Sequence, residues 1–191
     1  MTRAELYGLL DQRMREPSRA DEIEASIWSA CGCERAILVS DLSGFTRITK
    51  QKGILHFLCA FRSVVQAGEA LFREHGALFW KTDADNLMAT FPDVAAAAAV
   101  ALALARSDFG EVGCCLGLGF GRILQLEDDL FGDEVNVTYK LGEDVAEPGQ
   151  VLVSEPAARR LDGAALGGPE TLRIGTLALP YYRLLEVKTF R

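Results

Sequence analysis

The sequence has no basic surplus. Its 20 lysines and arginines stand against 27 aspartates and glutamates, a formal net charge of −7. A surface that tracks a nucleic-acid backbone needs the opposite balance, so no nucleic-acid partner is expected. Histidine is scarce, and His56 and His75 lie far in sequence from any cysteine pair. Neither Cys31-Gly-Cys33 nor the vicinal Cys114-Cys115 has zinc-site spacing. The five cysteines, an odd number, read as small buried hydrophobes in a reducing compartment. Long hydrophobic runs are missing too. The longest, Val94–Ala105, is mostly alanine and too short to cross a bilayer. The first residues, Met1-Thr-Arg-Ala-Glu5, carry no apolar signal core. No membrane association and a cytoplasmic location are the expectation.

What is present is a hydrophobic content of 49% over 191 residues, enough for one real core. Residues 1–33 read as a helical extension and 34–191 as one domain. Leu6, Leu9, Leu10 and Met14, then Ile23, Ile27 and Trp28, recur at helical spacing around a break at Pro17-Ser18. That extension is not needed to complete an α/β core, and packing or dimerisation are both open to it.

The stretch Ala36-Ile-Leu-Val-Ser-Asp-Leu-Ser-Gly-Phe-Thr46 organises the rest. Ala36–Val39 is a short continuous apolar run, which fits a strand buried on both faces. Asp41 falls at its carboxyl end, where sheets open toward ligands. Ser43-Gly44 permits a sharp turn, and the amides of Gly44, Phe45 and Thr46 then open the next helix, a natural phosphate site. A carboxylate beside such a site suggests a metal ion carrying a polyphosphate.

Further along, the pattern predicts one long helix over about 46–75, then a hairpin of Ala77–Thr82 and Leu87–Phe91 around Asp83-Ala-Asp-Asn86. An alanine-rich helix follows Pro92-Asp93. Val112–Leu124 reads as a long strand with glycine at 113, 117, 119 and 121, and Gln125–Asp133 as an acidic loop. A helix over 134–145, a strand over 150–153 and a short helix capped by Ser154 come next. The reading ends with a glycine-rich loop over 163–170 and a hairpin of Leu172–Leu179 with Tyr181–Val187, bent at Pro180. The order predicts an α+β fold: a ferredoxin-like βαββαβ core with a C-terminal αβαββ extension and an N-terminal helical segment. In that topology the hairpin tip lands beside the end of the first strand, which gathers Asp83 and Asp85 next to Asp41.

From about Glu34 to Val187 the chain resembles the catalytic domain of the class III adenylate and guanylate cyclases. The landmarks are Asp41-Leu-Ser-Gly-Phe-Thr46, Lys81-Thr-Asp-Ala-Asp85 with Leu87–Phe91, Asp129-Leu-Phe-Gly-Asp-Glu-Val-Asn136 through Lys140-Leu, and Pro148-Gly-Gln-Val-Leu-Val-Ser-Glu155. The resemblance implies that Asp41 and Asp85, with the backbone carbonyl of Leu42, hold two Mg²⁺ or Mn²⁺ ions. One ion would activate the ribose 3′-hydroxyl and the other would bind the triphosphate of ATP. Lys81 and Asp129 match the pair that reads the base in adenylyl-type members. Asn136 would orient the ribose, and Lys140 stands where the family carries a transition-state arginine. The same resemblance implies a homodimer with composite sites, the metal pair from one protomer and the other residues from its partner.

Several positions depart from that pattern. Lysine 140 supplies a point charge in place of a planar fork, which implies a slow enzyme or a silent one. Ala84 stands where glycine is usual, and Asp83 is either a third carboxylate or an exposed turn residue. Gly117-Leu-Gly-Phe-Gly121 lacks a histidine common in the family. Arg183 and Lys188 are candidates by position for a further triphosphate contact. The expected reaction is conversion of ATP to 3′,5′-cyclic AMP and pyrophosphate. The alternatives are another nucleoside triphosphate as substrate, or a degenerate regulatory module that binds nucleotide or only dimerises.

Overall fold

The computed structural model describes residues 1–187, so Lys188 lies outside the described residues. Strand β1 (Gly32–Leu42) is the spine of a mixed sheet. Beside it lie the hairpin β2 (Phe79–Asp83) and β3 (Asn86–Phe91) on one flank and β4 (Cys114–Gln125) on the other. Beyond β4 come β6 (Val151–Ser154), β8 (Leu177–Glu186) and β7 (Ala165–Ile174). The order is β2-β3-β1-β4-β6-β8-β7, with the short β5 (Leu130–Phe131) paired to the end of β4. β1 is antiparallel to both β3 and β4, and β4 runs parallel to β6. This is the expected α+β core with its C-terminal extension.

Both faces of the sheet are covered, which explains why Ala36–Val39 is apolar without alternation. Ala36 and Leu38 point toward α4 (Ile54–Glu74) and α5 (Val94–Arg106), where Phe57, Val64, Phe72, Val94, Ala101 and Leu104 complete the main core. Ile37 and Val39 face the other way. There Met88, Ile123, Leu130 and Val135 close a second cluster, because β5 and helix α6 (Asp133–Lys140) fold over that side. The expectation that no stretch reaches membrane-spanning length needs correction, since α4 is 21 residues long and apolar enough by composition. One face of it, with Phe57, Val64, Val65, Gly68 and Phe72, is buried against the body, while Ile54, Leu55 and Leu58 are exposed.

Five further expectations are corrected. The single helix over 46–75 is two, α3 (Phe45–Lys52) and α4, because Gly53 takes φ 88° and breaks the hydrogen-bond ladder. The helix over 134–145 stays regular only to Lys140. Leu141–Val145 forms a π-turn in which the Ala146 amide donates to the Leu141 carbonyl at 2.8 Å. Residues 165–170 are strand, and the final hairpin turns at Gly175, φ 58°, while Pro180 lies inside β8 opposite Thr171. Ser154 does not cap α7 (Glu155–Ala158). Its hydroxyl donates to Glu134 instead.

The N-terminal helices α1 (Arg3–Arg15) and α2 (Ala20–Cys31) flank a single 3₁₀ turn at Pro17–Arg19. They are docked on the body. Leu6, Ile23, Ile27 and Cys31 share a cluster with Leu126, and the Arg122 guanidinium sits 4.1 Å from the centre of the Trp28 ring. β1 begins at Gly32, directly after α2.

Candidate active site

Strand register puts the first two acids together. Ser40 is the last β1 residue paired with β3, opposite Leu87, and Asn86 pairs with Asp83 across the hairpin. Asp41, one step beyond Ser40, therefore meets the turn Asp83-Ala84-Asp85. Ala84 holds φ 52° there, the one non-glycine positive φ among the described residues. An L-residue in that region costs about 1–2 kcal/mol, so the tip is held in shape by its surroundings. Burial first, and then the charge of Asp85, pushes the Asp41 carboxyl up from its ordinary value, while the Leu42 amide pulls it down by hydrogen bonding. Among the described residues neither Asp41 nor Asp85 has an ion-pair partner.

A third acid adjoins this pair, and no motif in the chain marks it. Glu143 sits on the π-turn after α6. Its carboxyl is pushed up by burial and by Asp41, and pulled down by the Asn86 amide, which donates to it at 2.7 Å. Asn86 Oδ1 is buried and accepts no hydrogen bond among the described residues. A half-buried acidic pair and an orphaned oxygen acceptor form an oxygen-only donor set suited to Mg²⁺ or Mn²⁺. No three acidic, histidine or cysteine side chains enclose a metal by themselves among the described residues. A magnesium-type site needs only one or two carboxylates, with water and phosphate in the remaining positions.

The amides of Gly44, Phe45 and Thr46 follow at once. Gly44 takes φ 95° and no side chain caps α3, so the first amides of the helix have no intrahelical acceptor. The turn is stitched to β4: the Ser43 amide donates to the Gly113 carbonyl at 2.9 Å, and the Gly113 amide donates to Ser43 Oγ at 3.1 Å. Phe45 anchors the helix start edge-on against Phe57, ring centres 4.8 Å apart.

A second group forms around Lys81. Its ammonium donates to Asp129 Oδ1 at 2.6 Å, joining residues 48 apart in sequence, and lies 3.8 Å from Asp83. The pair is largely sheltered, with side-chain exposures of 22% and 18%. Burial pushes the Asp129 carboxyl up, but hydrogen bonds from Lys81 and the Leu130 amide, with the charges of Lys81 and Arg3, outweigh it and hold it below the usual carboxylate range. Tyr139 lies nearby. Burial and the charges of Asp83, Glu143 and Asp129 push its hydroxyl up to about 12.

Asn136 and Lys140 stand one turn apart on α6. Asn136 is exposed on the wall of a cleft of about 360 Å³ that Ser154, Glu155, Ile174 and Pro180 also line. Lys140 is tied to Asp144 at 2.5 Å. The glycines of β4 explain how α6 comes so near. A Cβ on Gly117 would stand 2.1 Å from the Thr138 carbonyl oxygen, and one on Gly119 would stand 2.0 Å from Thr138 Oγ1. Arg183 lies on β8 opposite Leu152, lining a separate small cleft with Glu147, Gln150 and Glu170. It is not brought beside Lys81, Asp129 or the acidic pair by any contact among the described residues.

No family model matches this sequence, and no curated protein matches it. Solved structures do. The catalytic core of a rhodopsin-guanylyl cyclase with converted specificity, in complex with ATPαS, superposes with a TM-score of 0.72 at 17% identity, over 82% of this chain and 99% of that one. The adenylyl cyclase CyaB from P. aeruginosa gives 0.69 at 17% identity, over 83% and 97%. An adenylate/guanylate cyclase/hydrolase from Silicibacter pomeroyi gives 0.67 at 20% identity, over 81% and 98%. The chain has the fold of the class III nucleotidyl cyclase catalytic domain. Glu143, after α6, and Arg3, on the N-terminal helix α1, are neighbours of the candidate residues that no sequence motif marks.

Proposed function

We propose that this protein is a nucleotidyl cyclase that converts ATP to 3′,5′-cyclic AMP and pyrophosphate, in sites shared across a homodimer. The observation that carries the reading is the meeting of Asp41 and Asp85, remote in sequence, beside the amides of Gly44–Thr46, which have no acceptor among the described residues. Two Mg²⁺ or Mn²⁺ ions, when bound, acidify the ribose 3′-hydroxyl and neutralise the triphosphate. Asp41 and Asp85 hold that charge in place, with the Leu42 carbonyl as a further oxygen donor. The amides of Gly44, Phe45 and Thr46 bind phosphate oxygens. The 3′-oxygen loses its proton to solvent and forms a bond to the α-phosphorus, as the bond from that phosphorus to the oxygen bridging it to the β-phosphorus breaks and pyrophosphate leaves with the electron pair.

Lys81 and Asp129 support adenine as the base. Lysine donates to ring N1, and aspartate accepts from the 6-amino group. Guanine carries a carbonyl and an N–H at those places, which reverses both needs. Asn136 orients the ribose, and Lys140 meets charge on the phosphates. A second reading has one observation in its favour: Lys140 replaces an arginine and its ammonium is already engaged by Asp144 at 2.5 Å. That reading is a slow or silent cyclase-like module with a regulatory role.

Incubation of the purified protein with each of the four ribonucleoside triphosphates and Mn²⁺, with products resolved by mass, separates these readings. Cyclic monophosphate from ATP alone is the expected result. Product from another nucleotide overturns the base assignment and keeps the chemistry. No product from a folded dimer selects the regulatory module.

A further inference from the structure

Asp129 is held from an unexpected direction. Its Oδ1 accepts from the Lys81 ammonium at 2.6 Å and from the Leu130 amide at 2.9 Å. Its Oδ2 accepts from the Arg3 guanidinium at 2.8 Å, across 126 residues of sequence. Arg3 also lies 3.6 Å from Asp128. The carboxylate plane is therefore fixed at both oxygens; Oδ1 is filled by its two donors, and Oδ2 keeps a lone pair for one more.

The position of Arg3 is itself well determined. Thr2 and Glu5 form a reciprocal capping box, the Glu5 amide donating to Thr2 Oγ1 at 3.2 Å and the Thr2 amide to Glu5 Oε2 at 2.8 Å. The Glu127 amide donates to the Met1 carbonyl at 3.2 Å, and the Leu126 amide closes the turn onto the Asp129 carbonyl at 2.8 Å. Leu6 packs in the same cluster as Leu126. The start of α1 and the loop that carries Asp129 thus form one body, joined by backbone, apolar and ionic contacts.

Charge makes the arrangement purposeful. Glu127, Asp128 and Asp129 are consecutive acids. With Lys81 alone, any of the three carboxylates could compete for one ammonium. Arg3 occupies the outer side, bridging Asp128 and Asp129, and leaves the inner oxygen to Lys81. We infer that Arg3 is a positioning residue for base recognition: it sets the Asp129 carboxylate, alongside Lys81, in the orientation that accepts from a 6-aminopurine. This rests on the ATP-cyclase reading and gives the N-terminal helices a role in choosing substrate, since a shift of α1 would carry Arg3 away from Asp129.

The test is equilibrium binding of 3′-deoxy-ATP and 3′-deoxy-GTP to the full chain with Mn²⁺. These nucleotides lack the attacking hydroxyl, so binding is read apart from turnover. The wild type is expected to prefer the adenine nucleotide. Arg3→Ala is expected to weaken 3′-deoxy-ATP about tenfold, the scale of one charge-assisted hydrogen bond, and to change 3′-deoxy-GTP far less. Arg3→Lys should recover part of the preference. A general loosening of the fold would weaken both nucleotides alike, so an unchanged ratio in Arg3→Ala, with or without weaker binding, overturns the inference and leaves the ATP reading standing. A wild type with no preference for adenine overturns the ATP reading, and the inference with it.

Discussion

Lysine and arginine at position 140 differ in what they offer a phosphate: one flexible point charge against a planar fork with two parallel donors. In this structure the Lys140 charge is also shared with Asp144 at 2.5 Å, and that contact raises its pKa above the ordinary lysine value. Both groups are roughly half exposed, so the ion pair adds little stability, but in the proposed cyclase it would compete with substrate for the ammonium. Lys140→Arg is expected to raise kcat about tenfold, or about 1.4 kcal/mol of barrier, with little change in KM. An unchanged or lower kcat in steady-state assays would remove Lys140 from the transition-state role. At this scale the sequence was informative where chemistry follows from local pattern. Asp41 at a strand end came from one short stretch, whereas the positive φ that Ala84 adopts is one an alanine disfavours. Glu143 and Arg3 were not legible, because their meaning depends on a π-turn and on a contact spanning most of the chain.

The elements show why a glycine-rich strand lies at the centre of the sheet. Gly117 and Gly119 let α6 approach β4 until the Thr138 carbonyl and hydroxyl occupy the space of their missing side chains. Helix α6 carries Asn136 and Lys140, so these glycines set the depth at which both stand. Gly117→Ala is expected to destabilise the fold by about 3 kcal/mol, the upper part of the overpacking range, because the clash is with backbone and cannot be relieved by a rotamer. Gly8→Ala, in open space on α1, should instead stabilise by about 0.5–1 kcal/mol. Urea denaturation of both variants checks the contrast, and equal midpoints would refute it. Strand and helix types were readable from apolar periodicity, but boundaries were not. Gly53 broke a helix whose apolar face runs on almost unchanged, and Pro180 resembled a turn although edge pairing with β7 tolerates it there.

The whole sheet turns a linear sequence into two functional groups. β1 at its centre brings Asp41 to the hairpin tip. The turn from β4 into β5 carries Asp129 to Lys81. The order of elements foretold the first meeting, since ferredoxin-like topology makes β1 and β3 neighbours. The second was expected only from the family resemblance that pairs Lys81 with Asp129, since the two lie 48 residues apart and no local pattern joins them. The proposed cyclase divides these groups between two protomers: Asp41 and Asp85 of one work with Asn136 and Lys140 of the other. Mixing an Asp41→Ala protein with an Asn136→Ala protein, each inactive alone and each folded, tests that arrangement most directly. Heterodimers then carry one intact composite site, so the account predicts that cyclic AMP formation from ATP reappears in the mixture, at up to about half the wild-type rate for each heterodimer formed. A mixture that exchanges subunits and stays inactive would contradict it.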